Sequence, residues 1–143
     1  MIKILEIHNI EVEMEGIIVN DVKTYNIVTS LMTDEAIPFE LGGSTILWLT
    51  KEGFLGEIES IYPILTKGAL CEQAGDLQQK VGFPRMEIVQ GKSEVSIEPY
   101  AKGYIIWLAK GKKADSEVVC GILRFLVAYD EIVAIVCEQA KSI

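Results

Sequence analysis

The chain carries a single histidine, His8, in 143 residues. A metal site built from three histidines therefore cannot form within it. With no partnering Ser, Cys or Asp motif beside it, His8 reads as a turn or surface residue before it reads as a catalyst. The cysteines are three, Cys71, Cys120 and Cys137, odd in number and widely spaced. They form neither a disulfide framework nor a CxxC metal knuckle. Each sits among apolar residues, where a free thiol behaves as a small hydrophobe. No apolar run reaches the ~18 residues of a membrane-spanning helix; the longest, 118–129, is interrupted by Gly121 and Arg124. The N-terminus, MIKILEIHNIEVEME, lacks the charged start, long apolar centre and cleavage site of a signal peptide. Basic side chains are scarce as well, 13 against 21 acidic ones, for a net charge of −8. That balance argues against nucleic acid and against an anionic membrane surface. It leaves a basic protein or a cation as charge-matched partners, while its plainest consequence is solubility. A cytoplasmic location is the expectation.

Catalytic signatures are missing too. There is no GxSxG, HExxH, Walker A loop or GxGxxG. No cofactor, no bound metal and no enzymatic activity are expected on these grounds.

What is present points to strands. Half the residues are hydrophobic, enough for a single domain, 1–143, to bury a core without staples. Segment 10–15 alternates strictly, with Ile10, Val12 and Met14 on one side and Glu11, Glu13 and Glu15 on the other. A period of two marks a half-buried strand with one wet face. Gly16 breaks it, and 17–19 and 22–32 supply further strands rich in Ile, Val, Thr and Tyr. The centre of the chain is 45–62, TILWLTKEGFLGEIESIY, two apolar runs around Lys51-Glu52-Gly53. We read it as a hairpin with Gly53 at the left-handed position. Pro38 to Gly43 is its entry, and Pro63 limits its second strand.

One segment has helical spacing. Leu70, Ala74, Leu77 and Val81 fall on one stripe, which predicts a short helix near 69–81, weakened by Gly75. Short strands are expected at 86–89 and 95–97 around a Gln90-Gly91-Lys92 turn. A final meander follows, with strands 104–109, 118–127 and 132–137. A helix is the rival reading of 116–127, where Val119, Leu123 and Leu126 also fit helical spacing. The fold class is thus mainly β, a curved antiparallel sheet or a β-sandwich of eight to ten strands with one short helix.

Ile46-Leu47-Trp48-Leu49-Thr50-Lys51 is echoed by Ile105-Ile106-Trp107-Leu108-Ala109-Lys110. A weaker echo links 52–56 with 130–134. The pair suggests two related halves, 1–66 and 84–143; buried strands drawing on one small residue alphabet explain the echo equally well. The Thr-Lys-Glu-Gly turn followed by an apolar run ending in glutamate also resembles hairpins of several small bacterial domains, over too few residues to identify a family.

Candidate site residues are few. Glu57 and Glu59 share one strand face, about 7 Å apart by strand rise, a spacing open to cation binding or to acid–base work. Glu11 and Glu13 form a second such row. The plain alternative for both is a solvated face that resists edge-to-edge pairing. Trp48 and Trp107 are candidates for a pocket wall or an interface anchor, and core packing is the competing role. Gly42-Gly43-Ser44 hints at an anion-binding nest. The functional expectation is a non-catalytic binding or interaction domain, self-associating or acting as an immunity-type inhibitor of a basic protein. The alternative is a small-ligand-binding protein or an enzyme that depends on its carboxylates.

Overall fold

In a computed structural model, residues 1–73, 75–89 and 94–143 are described; the expected 90–92 turn and Ala74 lie outside them. Fifteen strands occur among the described residues. They are β1 Ile2–His8, β2 Met14–Val19, β3 Thr24–Thr29, β4 Ile37–Gly42, β5 Thr45–Leu49, β6 Leu55–Ile61, β7 Ile64–Leu65 and β8 Gln78–Val81. After these come β9 Phe83–Ile88, β10 Ser96–Tyr100, β11 Gly103–Trp107, β12 Ser116–Cys120, β13 Leu123–Ala128, β14 Glu131–Cys137 and β15 Ala140–Ser142.

The strands form two mixed sheets in a sandwich-like arrangement, which is the mainly β class expected. One sheet has the order β15-β2-β3-β6-β5-β4. The other runs β7-β10-β11-β14-β13-β12-β8, with β1 joined to the start of β14 and β9 to β1. Most pairings are antiparallel; β15–β2, β10–β7 and β12–β8 are parallel. The termini are exchanged. The first strand belongs to the sheet made mostly of later residues, and the last strand to the sheet made of earlier ones.

The principal core lies between the sheets. Ile27, Leu47, Leu49, Leu55 and Ile58 come from the six-stranded sheet, and Phe83, Ile97, Tyr104, Ile106, Phe125 and Ile135 from the nine-stranded one. Alternation places them there, because every second residue of a strand faces inward. Phe54, Phe83 and Phe125 form a chain of rings with centroids 6.1 and 6.0 Å apart. Tyr104 spans the gap, its hydroxyl donating to the Asn26 carbonyl at 2.6 Å, and burial pushes that phenol's pKa far up. A second apolar cluster covers the outside of the nine-stranded sheet: Ile105, Trp107, Leu126, Val133 and Val136 under Ala69, Leu70 and Leu77.

Several expectations need correction. The helix near 69–81 is a single 3₁₀ turn, Leu70–Glu72, and no other helix occurs among the described residues. Gly75, at φ 128°, holds a backbone angle no helix tolerates. Beyond it, Gln78–Val81 finds backbone partners along β12 and becomes a strand. The apolar spacing reflects a strap whose Ala69, Leu70 and Leu77 pack into the outer cluster around Trp107; Val81 is 77 % exposed. Segment 118–127 is two strands, not one, turned by Gly121 at φ 57°. The stretch read as an entry, 38–43, is mostly the edge strand β4, where Pro38 is tolerated. Residues 10–13 are a crossover between the sheets, and the strand starts at Met14. Gly16 does not break that strand. It lies inside it, where a Cβ would press on the Cys137 sulfur.

The hairpin 45–62 forms as expected, with Gly53 at φ 97°. A Cβ at Gly53 would also stand 2.6 Å from the Met86 carbonyl, because the turn docks on β9. The irregular alternation of β6 has a cause: Trp48 faces Glu57 while Leu49 faces Leu55, so Gly56 is the extra residue of a bulge. No helix among the described residues is long and apolar enough to cross a membrane.

Candidate functional site

The outer face of the six-stranded sheet brings three of the candidates, Glu57, Glu59 and Trp48, together. Residues paired across neighbouring strands point to the same side of a sheet, so the registers define two rows. One row runs Glu15, Val28, Glu57, Trp48, Pro38. The next runs Lys141, Ile17, Asn26, Glu59, Ile46, Glu40. Their neighbours in sequence, Ile27, Leu47 and Ile58, turn inward to the core. Trp48, Ile46, Glu57 and Glu59 are half-buried; Glu15 and Glu40 are exposed.

Glu57 and Glu59 therefore share a face, as their spacing requires, and the structure sets Trp48 directly beside Glu57. Asn26 fixes Glu57 by donating its amide Nδ2 to the Glu57 Oε2 at 2.6 Å. Among the described residues, neither carboxylate lines any of five surface cavities, including those at the β4–β5 turn and the β1–β2 crossover. Among the described residues no group of three His, Cys, Asp or Glu side chains is arranged to hold a metal ion.

The face continues into a cavity of about 380 Å³ lined by Glu40, Gly42, Gly43, Ser44, Thr45, Ile46 and Ile61. Its floor is the β4–β5 turn, where Gly43 and Ser44 both have positive φ, 57° and 60°. Two such residues between paired strand ends make the turn type that suits the twist of a hairpin. The Glu40 carboxylate shares the cavity, so an anion bound at this turn would face a like charge. Exposed apolar residues Ile61, Tyr62, Ile64 and Leu65 extend from the same end.

The remaining candidates lie elsewhere. Glu11 and Glu13 are exposed on the crossover between β1 and β2, around a cavity of about 550 Å³ that also meets Ile10, Val12, Ser30 and Cys120. Trp107 is fully buried on the outside of the other sheet. Its indole Nε1–H donates to the Glu98 Oε1 at 2.9 Å, and the Leu70 N–H donates to the same oxygen at 3.2 Å. His8 accompanies Glu6 at 2.8 Å, and Arg85 approaches the other Glu6 oxygen at 3.3 Å. Hydrogen bonding from Arg85, then from His8, holds the Glu6 carboxyl below its ordinary pKa. All three are at least partly exposed, and Phe54 meets the imidazole edge-on at 5.2 Å.

Glu40 and Glu98 were missed in the sequence. A signal for both was there: Phe39-Glu40 precedes the first ILWL run much as Ile97-Glu98 precedes IIWL. No protein-family model matches the chain, and no curated protein matches its sequence.

Proposed function

We propose that the chain is a non-catalytic protein-binding domain whose outer six-stranded face takes a basic protein partner. The observation that carries this reading is the composition of that face. Trp48, Ile46, Val28 and Ile17 offer apolar surface on the outer face of the sheet, and tryptophan is a preferred interface anchor. Around them stand Glu15, Glu40, Glu57 and Glu59, all four acidic residues of the six strands, against Lys141 as their single basic one. Such a field speeds the approach of a cationic partner and opposes wrong ones. It also sets the face against a second copy of itself, so a heterologous basic protein suits it better than self-association. The carboxylate-enzyme reading has less support, because Glu57 and Glu59 line none of the five cavities described above.

Calorimetric titration with a 16-residue peptide of alternating lysine and leucine tests this. Binding should weaken tenfold or more in a Glu57→Lys, Glu59→Lys double variant. Glu11→Lys with Glu13→Lys alters net charge equally on another surface and should change it less than twofold. Equal losses in both variants would show a response to net charge alone and refute the reading, as would no binding at millimolar peptide.

A further inference from the structure

The hairpins β4–β5 and β10–β11 are built to one plan. In the first, Phe39 pairs with Leu47 and Glu40 with Ile46. In the second, Ile97 pairs with Ile106 and Glu98 with Ile105. Glu40 thus holds, on one sheet, the place that Glu98 holds on the other. Trp48 and Trp107 follow at matching positions, both turned away from the principal core.

The two hairpins differ in what covers them. Over the second, Ala69, Leu70 and Leu77 join the outer apolar cluster that includes Trp107 and Ile105. Glu98, 8 % exposed, is satisfied there by the Trp107 indole and by the Leu70 N–H. Gln73 fastens the strap, donating from Nε2 to the Lys112 carbonyl at 2.7 Å and accepting from the Ala114 N–H at 2.8 Å. Over the first hairpin, Glu40 is exposed and Trp48 and Ile46 stand half open. The chain sets a tryptophan and a glutamate at matching hairpin positions twice and encloses one set.

We infer that the basic partner supplies the missing cover. Its occupying segment is a short irregular strap that lays small and apolar side chains on Trp48 and Ile46 and sets an N–H donor on the Glu40 carboxylate. This rests on the reading of the face as a protein-binding surface and adds to it the form of the bound segment. Glu57 and Glu59, both on β6 beside Trp48 and Ile46, select lysine or arginine on that side of the apolar residues, because opposite charge favours one partner over others. The resident strap is an internal precedent for the geometry, and its own Glu72 and Asp76 show why it is not itself suited to the acidic face.

The probe is an acetylated, amidated octapeptide of strap residues 66–73 carrying Cys71→Ser and Glu72→Lys, titrated into the ¹⁵N-labelled full chain. Amide resonances of β4 and β5 and the Trp48 indole should shift, while the Trp107 indole stays in place. Glu40→Gln should weaken binding threefold or more, and Trp48→Ala should abolish it. If the lysine–leucine peptide binds this face but the octapeptide does not, or if Glu40→Gln leaves octapeptide binding unchanged, the strap inference is overturned and the broader reading stands. Movement of the Trp107 indole would also overturn it, since the peptide would then be displacing the resident strap. If neither peptide binds, both fall.

Discussion

Replacing Gly16 with alanine should destabilise the protein through one identifiable collision. Gly16 is a buried β2 residue lying against β15, with Ala140 as its partner. A Cβ there would press into the Cys137 sulfur and lie 3.1 Å from the Gln139 carbonyl. The sulfur has little room to move, since Cys137 is fully buried and its thiol donates to the Gln139 carbonyl at 3.3 Å. Forcing a methyl group into a packed core costs about 1–3 kcal/mol. With a urea m-value of about 2 kcal/mol/M, the unfolding midpoint should fall by about 0.5–1.5 M. Cys137→Ala alone should cost about 1 kcal/mol, a small deletion from the core. Combined, the two should interact favourably by about 1 kcal/mol or more, because the new methyl occupies the space the sulfur leaves. Rescue should be partial, since the Gln139 carbonyl remains. Gly103→Ala offers a contrast: its Cβ would meet the main-chain carbonyl of Cys137, which no side-chain change relieves. Urea denaturation of the four proteins in the cycle decides the matter. Additive costs, or a Gly16→Ala midpoint equal to the wild type, would refute the packing argument.

Other expectations are more local. Trp107→Phe removes one of the two donors to Glu98 and should cost about 1–3 kcal/mol, whereas Trp48→Phe on the open face should stay within about 0.5 kcal/mol, both read from denaturation midpoints. Tyr129 is 93 % exposed at φ 60°, so Tyr129→Asn should stabilise by about 0.5–1 kcal/mol, asparagine tolerating that conformation with no packing to lose. The depressed Glu6 pKa contributes stability that is complete above the ordinary carboxyl value of 4.5 and is lost as pH falls through the lower folded value. The melting-temperature gap between wild type and Glu6→Gln should therefore be constant above that pH and close below it. Iodoacetamide at pH 8 should label the exposed Cys71 first, while Cys137, buried and with its thiol pushed up to about 11 mainly by burial, should react only in denaturant. Mass spectrometry of the adducts reports the order.

The strands legible in the sequence were those with local cues. The hairpin at 45–62 could be read because Gly53 marks its turn and the runs beside it are long. β4 was harder, since Pro38 and two glycines argue against a central strand, and only its place at a sheet edge makes them harmless. The 70–81 spacing matched a helix because Ala69, Leu70 and Leu77 all join one apolar cluster with Trp107, and that cluster depends on a sheet formed elsewhere in the chain. Gly16 looked like a break because the crossing chain that requires it, Cys137 to Ala140, is more than a hundred residues away. On the site, alternation sufficed to put Glu57 and Glu59 together. It could not separate Trp48 from Trp107, whose different burial comes from a strap that lies over one of them. Glu40 was hidden inside the strand that went unread.

The exchange of the terminal strands bears on how the chain folds. Lys3 pairs with Glu131 and Ala140 with Gly16, so neither sheet can be completed by a contiguous stretch of chain. Loop closure over such separations precedes the contacts that compensate for it, which makes folding slow, on the order of milliseconds to seconds. Each sheet also waits on the far end of the chain for its last strand. Fragments cut between the two should therefore fail to fold separately, and the two sheets should melt together.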